Sequence, residues 1–173
     1  RLELNAETQE KIDYILTSTQ ALGDRMGAIV IQLPPSFRYD IEHLRKFLVY
    51  FKAEIKVKKY KFDVAIEFRN KYWFTKEVFN LLKKHNVALV SGQSSRYPLS
   101  REITSKVAYI RMHGPQKLFA SLYSKEELQE WADHIRSILP KVNKVYVYFN
   151  NDFYGYAIQN AKELMNMLDV ELK

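Results

Sequence analysis

The sequence predicts an α/β protein with a parallel sheet, either an open doubly wound sheet or a (β/α) barrel, and three observations carry that reading. Five short apolar runs, rich in β-branched and aromatic residues, recur along the 173 residues, and amphipathic helical stripes separate most of them. Parallel neighbours need crossover connections of this kind. No Gly-rich phosphate loop follows any run, which weakens a dinucleotide-binding open sheet. All five runs also turn polar toward their carboxyl ends, where barrels of this class place their sites.

The elements follow in order. A helix is expected over 5–22, with Asn5 as its cap, Ile12, Ile15, Leu16 and Leu22 at the 3.6-residue period, and Gly23 just past its end. Ala28-Ile29-Val30-Ile31 reads as a strand stopped by Pro34-Pro35, and a helix over about 40–52 carries Ile41, Leu44, Phe47, Leu48 and Phe51. Val64-Ala65-Ile66 is the second strand, followed by a helix over roughly 74–85. Val87-Ala88-Leu89-Val90 and Val107-Ala108-Tyr109-Ile110 are the third and fourth strands, joined by a polar stretch with no helical stripe. Ser124 and Glu127 have capping-box spacing at the head of the stripe Leu128, Trp131, Ile135 and Ile138. Val145-Tyr146-Val147-Tyr148-Phe149 is the last strand, and Asn151 or Asp152 is the expected cap of a final helix carrying Ala157, Ala161, Leu164, Met165 and Leu168.

Composition narrows the class. At 47% hydrophobic and 27% charged, the chain is globular and of a length that one domain, 1–173, accommodates. With no cysteine there is no disulfide framework, thiolate metal site or cysteine nucleophile. No apolar run approaches the roughly 20 residues that cross a bilayer, so no membrane partner is expected. The absence of Cys and the abundance of Lys, Glu, Ile and Tyr point to a thermophilic cytoplasm. The chain opens with Arg1 rather than Met, so an upstream stretch is expected to lie outside this sequence.

Side chains alternate faces along a strand, so residues two apart point the same way. This groups Ala28, Val30 and Gln32; Ala65, Glu67 and Arg69; Leu89, Ser91 and Gln93; Val107, Tyr109, Arg111 and His113; and Tyr146, Tyr148, Asn150 and Asp152. In a barrel these polar ends meet at the carboxyl-terminal mouth. Arg69, Lys71, Arg96, Arg101, Arg111 and Lys117 outnumber Glu67, Glu102 and Asp152 there, which predicts an anionic ligand. The cluster Lys52, Lys56, Lys58, Lys59 and Lys61 falls between a helix and the next strand, at the opposite end, and reads as solvated surface that complements a helix C-terminus.

At these strand ends the sequence resembles the domain of unknown function 72 family, the YecE-like proteins. The resemblance rests on Gln32-Leu33-Pro34-Pro35-Ser36-Phe37, Glu67-Phe68-Arg69 with Trp73, and Arg111-Met112-His113-Gly114. It continues through Tyr123-Ser124 with Leu128 and Trp131, the run from Val145 to Asp152, and Ala157 with Asn160-Ala161. It extends from about Leu22 to the C-terminus and implies a TIM-like barrel of which this chain supplies the last five strands. The family's opening strands, including a Gly-Thr-Ser-Gly-Trp-like segment, are absent. An omitted N-terminal segment, a second chain or a rearranged remnant are the ways to complete the fold, and omission is the expectation. Where relatives carry an acidic residue after the third of these strands, this sequence has Gln93.

The resemblance supplies a fold and a site but no reaction. The expected function is an enzyme that hydrolyses a phosphorylated or nucleic-acid substrate, with Glu67, His113 and Asp152 as catalytic candidates. Gln32, Arg69, Trp73, Arg111, Tyr148 and Asn150 are the ligand-binding candidates. Glu67 is the expected general base, His113 a proton donor or base, and the arginines hold the anion by charge-assisted bonds. A divalent metal on Glu67, His113 and Asp152 is an alternative, weakened by the nearby Arg69 and Arg111. A non-catalytic module for an anionic ligand or nucleic acid is the runner-up. Carbohydrate hydrolysis, which needs two separated carboxylates, is a third reading.

Overall fold

In the computed structural model, which describes residues 3–170, the first helix starts at its sequence-encoded cap: Asn5 Oδ1 accepts from Thr8 N–H at 2.9 Å, and α1 runs Ala6–Thr19. A 3-10 helix, Gln20–Arg25, continues it, with Gly23 at φ 49° inside. The expected helical span to residue 22 therefore ends in tighter turns. Strand β1 is Ala28–Leu33 and stops at Pro34, which has no N–H to offer a ladder.

Helix α2, Ile41–Val57, is capped by Asp40, whose carboxylate accepts from His43 N–H. It runs five residues past the expected end because Ile55 continues the buried row of Leu44, Phe47, Leu48 and Phe51. Lys52 and Lys56 therefore lie on the helix rather than after it. Burial pushes the Lys52 ammonium below its ordinary range, while Asp63 opposes that shift. Lys58 pairs with Asp13 and with Glu54, so part of this cluster is structural rather than open surface.

Strand β2, Asp63–Phe68, lies parallel to β1 in a register that sets Val30 beside Ala65 and Gln32 beside Glu67. A 3-10 turn, Lys71–Trp73, precedes α3, Lys76–His85, and Thr75 caps that helix. Val78, Leu81 and Leu82 are its buried row, and Asn86 ends it in the left-handed conformation.

The described chain falls into two units, Arg1–Val87 and Ala88–Lys173. In the second, β3 (Ala88–Gln93), β4 (Val107–Met112) and β5 (Lys144–Phe149) form a parallel ladder with β4 between the other two. Helix α4, Lys125–Ile138, starts at the full capping box of Ser124 and Glu127, and α5 is Tyr156–Met167. One side of this ladder packs on the helices: Ile110 and Met112 meet Leu128, Trp131, Ile135 and Leu164, with Val145, Val147 and Phe149 alongside. Each large side chain fully buried this way stabilises by about 1.5–3 kcal/mol over exposure. The result is a mixed α/β chain whose five strands run in parallel ladders within their units. No described helix is long and apolar enough to cross a membrane.

Candidate functional site

The carboxyl ends of β1 and β2 carry a charged cluster. Their register places Gln32 and Glu67 side by side on one face. Arg69, two residues beyond Glu67, returns to that face: its Nε donates to Glu67 Oε1 at 2.9 Å and an Nη donates to Gln32 Oε1 at 2.8 Å. Glu67 is 3% exposed. A carboxylate at that depth needs a cation or several donors, and the guanidinium supplies both charge and geometry. Trp73 sits in the core, stacked on Phe68 at 4.9 Å and on Phe37 at 5.7 Å, and donates its indole N–H to Phe37 O. It therefore supports the segment after β1 and has no ring face open to a ligand.

The carboxyl ends of β4 and β5 carry a second cluster. Arg111 pairs with Tyr148 in register, and its Nε donates to Asn150 Oδ1 at 3.2 Å. Asn150 N–H in turn donates to Met112 O at 2.8 Å, which fixes the amide beside the strand end. Tyr148 is half-exposed and stacks on Tyr109 at 5.1 Å. His113, one step past β4, is 1% exposed and meets Phe119 edge-on at 5.5 Å.

The loop after His113 is held by a neutral network that the sequence reading gave no role. Gly114 lies at φ 100°, where a Cβ would come within 2.6 Å of Lys117 O, so glycine is required. Its N–H donates to the Tyr123 hydroxyl at 2.9 Å. Burial pushes that hydroxyl well above its ordinary pKa, against the lowering effect of this bond, so it stays protonated. Ser121 Oγ accepts from Gln116 and Lys117 N–H. Asn160, fully buried on α5, accepts from Tyr123 N–H and donates to Tyr123 O, and Asn151 donates to both Asn160 Oδ1 and Ser121 O. The only sequence signal for this network was that Tyr123, Asn151 and Asn160 fell within the resemblance motifs.

Two expectations are corrected. In the ladder Ser91 pairs with Ile110 and Gln93 with Met112, so these polar residues share the helix-packed face rather than the face of Arg111. Gln93 Oε1 accepts the Trp131 indole N–H at 2.7 Å, a structural task. Gly92 is the β3 neighbour of Arg111. Neither Asn151 nor Asp152 caps the final helix. Asn151 turns inward to Asn160, Asp152 is exposed at the head of a 3-10 turn (Phe153–Gly155), and left-handed Gly155 precedes α5. Backbone donors of α5 therefore begin a full turn later than expected. Among the described residues, no group of three or more His, Asp or Glu side chains is drawn together as a metal site.

Comparison with known proteins agrees with the motifs. The family model described as "Protein of unknown function DUF72" matches residues 2–173. The chain is similar to the UPF0759 protein YunF of Bacillus subtilis (strain 168), at 24% identity over 86% of this chain and 60% of that protein. It also superposes on a DUF72 family protein of Enterococcus faecalis V583 with a TM-score of 0.84 at 20% identity, covering 98% of this chain and 69% of the other. A DUF72 family protein of Thermotoga maritima MSB8 gives 0.80 at 24% identity, covering 92% and 65%. These structures share the fold, and the chain spans about 60% of the length of its Bacillus relative.

Proposed function

We propose that this chain, which belongs to the DUF72 family, binds an anionic ligand, phosphorylated or nucleic acid, at the carboxyl ends of its strands and hydrolyses it. In this reading the chain is the C-terminal part of a single TIM-like barrel domain and supplies its last five strands. A preceding segment or a second chain completes the barrel. The observation that carries the proposal is the pairing of guanidinium groups with fixed partners at strand ends in both units: Arg69 on Glu67 and Gln32, Arg111 on Asn150. A guanidinium oriented by fixed partners is the side chain best matched to planar oxyanions, which it meets through charge-assisted hydrogen bonds.

Glu67 would take a proton from the attacking water as a new P–O bond forms. His113 would give a proton to the oxygen that leaves as the old bond breaks. Asp152 and Tyr148, both exposed, would contact the outer part of the ligand. One observation favours the alternative of binding without turnover: Glu67 Oε1 is already occupied by Arg69. In that case Glu67 only positions the guanidinium.

The test is cleavage and binding of a phosphomonoester and a labelled single-stranded oligonucleotide at low salt. Hydrolysis predicts that Glu67→Gln lowers kcat by about 100-fold or more while Kd stays within a few-fold. Arg111→Ala should raise Kd about tenfold or more, because charge-assisted contacts are the strong ones. Arg111-dependent binding with no turnover leaves the binding module. No binding of either probe at low salt overturns both readings.

A further inference from the structure

We propose that an exposed aromatic ridge beside the second strand-end cluster, formed by Phe119, Phe153 and Tyr154, is a stacking surface for a nucleobase. The ligand at Arg111 is then a phosphorylated nucleoside, free or within a single strand; this rests on the anion-binding reading above.

The ridge is built, not incidental. Phe119, Phe153 and Tyr154 are 42%, 58% and 80% exposed, and Phe153 meets Tyr154 edge-on at 4.7 Å. Two of the three rings hang on left-handed backbone, Phe119 at φ 64° and Tyr154 at φ 60°. Aromatic residues seldom occupy that region, and such strain collects at ligand clamps. The parts are tied together: Phe153 N–H donates to Phe119 O, and Phe119 N–H donates to His113 O. The ridge therefore connects directly to the residue that follows β4, and Phe153 stands three positions after Asn150, the partner of Arg111.

The neutral network around Tyr123, Ser121, Asn151 and Asn160 fixes the loop that bears Phe119. Rings already held in place lose little freedom on binding, which is the advantage of a preformed platform. Exposed rings whose backbone is tied to His113, two positions after Arg111, with Lys117 on the same loop, complement a ligand that joins a flat π-face to an anion. A purely apolar partner would gain nothing from those cations, and a bare anion nothing from the rings.

The experiment is calorimetric titration of the full chain at low salt with ribose 5-phosphate, adenosine 5′-monophosphate and a short oligodeoxyadenylate. The nucleotide should bind about tenfold tighter than the sugar phosphate. Tyr154→Gly, which removes a ring and relieves its backbone, should erase much of that advantage, leave ribose 5-phosphate within about twofold and keep the melting temperature. Tyr154→Phe should retain it, and Phe119→Ala provides a second, independent loss. A tighter oligodeoxyadenylate points to a strand as the source and a weaker one to a free nucleotide, and either supports the proposal. Equal, Arg111-dependent affinities for the two small ligands overturn the stacking surface and leave the anion site standing. Binding of neither overturns both.

Discussion

At the carboxyl ends of β1 and β2, polar side chains are held by charge, whereas beyond β4 and β5 they are held mainly by neutral amides and a hydroxyl. Glu67 and Arg69 lie two residues apart on one strand face, so their ion pair assembles locally, and Gln32 joins from across the ladder. Asn160 reaches Tyr123 across 37 residues and gathers Asn151 and Ser121 around it. A local ion pair forms easily but leaves a buried charge that relies on its cation. A mainly neutral network demands that distant elements be in place first, and the one charge it is seen to touch, the Glu163 carboxylate that accepts from Asn160, is partly exposed rather than buried.

The largest effect should come from breaking the charged side. Arg69→Met leaves Glu67, whose side chain is 4% exposed, without its guanidinium, at a cost of about 3–5 kcal/mol in urea unfolding. A loss below about 1 kcal/mol would show that charge is not what holds this strand end. On the neutral side, Asn160→Ala deprives the buried Tyr123 N–H and C=O of their partner and should cost about 2–3 kcal/mol. That cost should be the same at low and high salt, because no ion pair is involved. If it matched an exposed control such as Gln159→Ala, the network would be decoration rather than scaffold.

How far this difference could be read beforehand follows from the same physics. Period-2 alternation placed Gln32, Glu67 and Arg69 on one face because β1 and β2 are regular to their ends, and a short local pair needs nothing more. The alternation misplaced Gln93, since each strand was given a face without its register, and a one-residue offset between neighbours exchanges the faces. The cap at Ser124 was legible because both halves of the box lie within four residues. Asn151 misled for the opposite reason: its side chain can cap a helix locally, but buried Asn160 offers a better partner that no local pattern shows. Left-handed Phe119 and Tyr154 left no signal, since nothing in an aromatic residue announces φ above zero.

The smallest test reaches a place where the two units behave alike. Each has a histidine whose pKa is pushed below its ordinary value first by burial and then by nearby cations. For His85 these are Lys84, Lys52 and Arg45; for His134 they are Arg101 and Lys141. His134 also has a buried Nε2 without a hydrogen-bond partner in the structure. With the folded pKa depressed, the unfolded chain binds more protons as pH falls through the ordinary value of 6.5. Stability is therefore full above that pH and declines below it, until the folded histidine also protonates. Because both rings are partly exposed, solvent screens the effect, and it should amount to about 2 °C or less in Tm per histidine. Thermal melts at pH 7.5 and 5.5 check this: His134→Gln and His85→Gln should each flatten the acid-side fall by a similar amount. If only one variant flattened it, the titration would separate the two units rather than join them, and the burial assigned to the other histidine would be wrong.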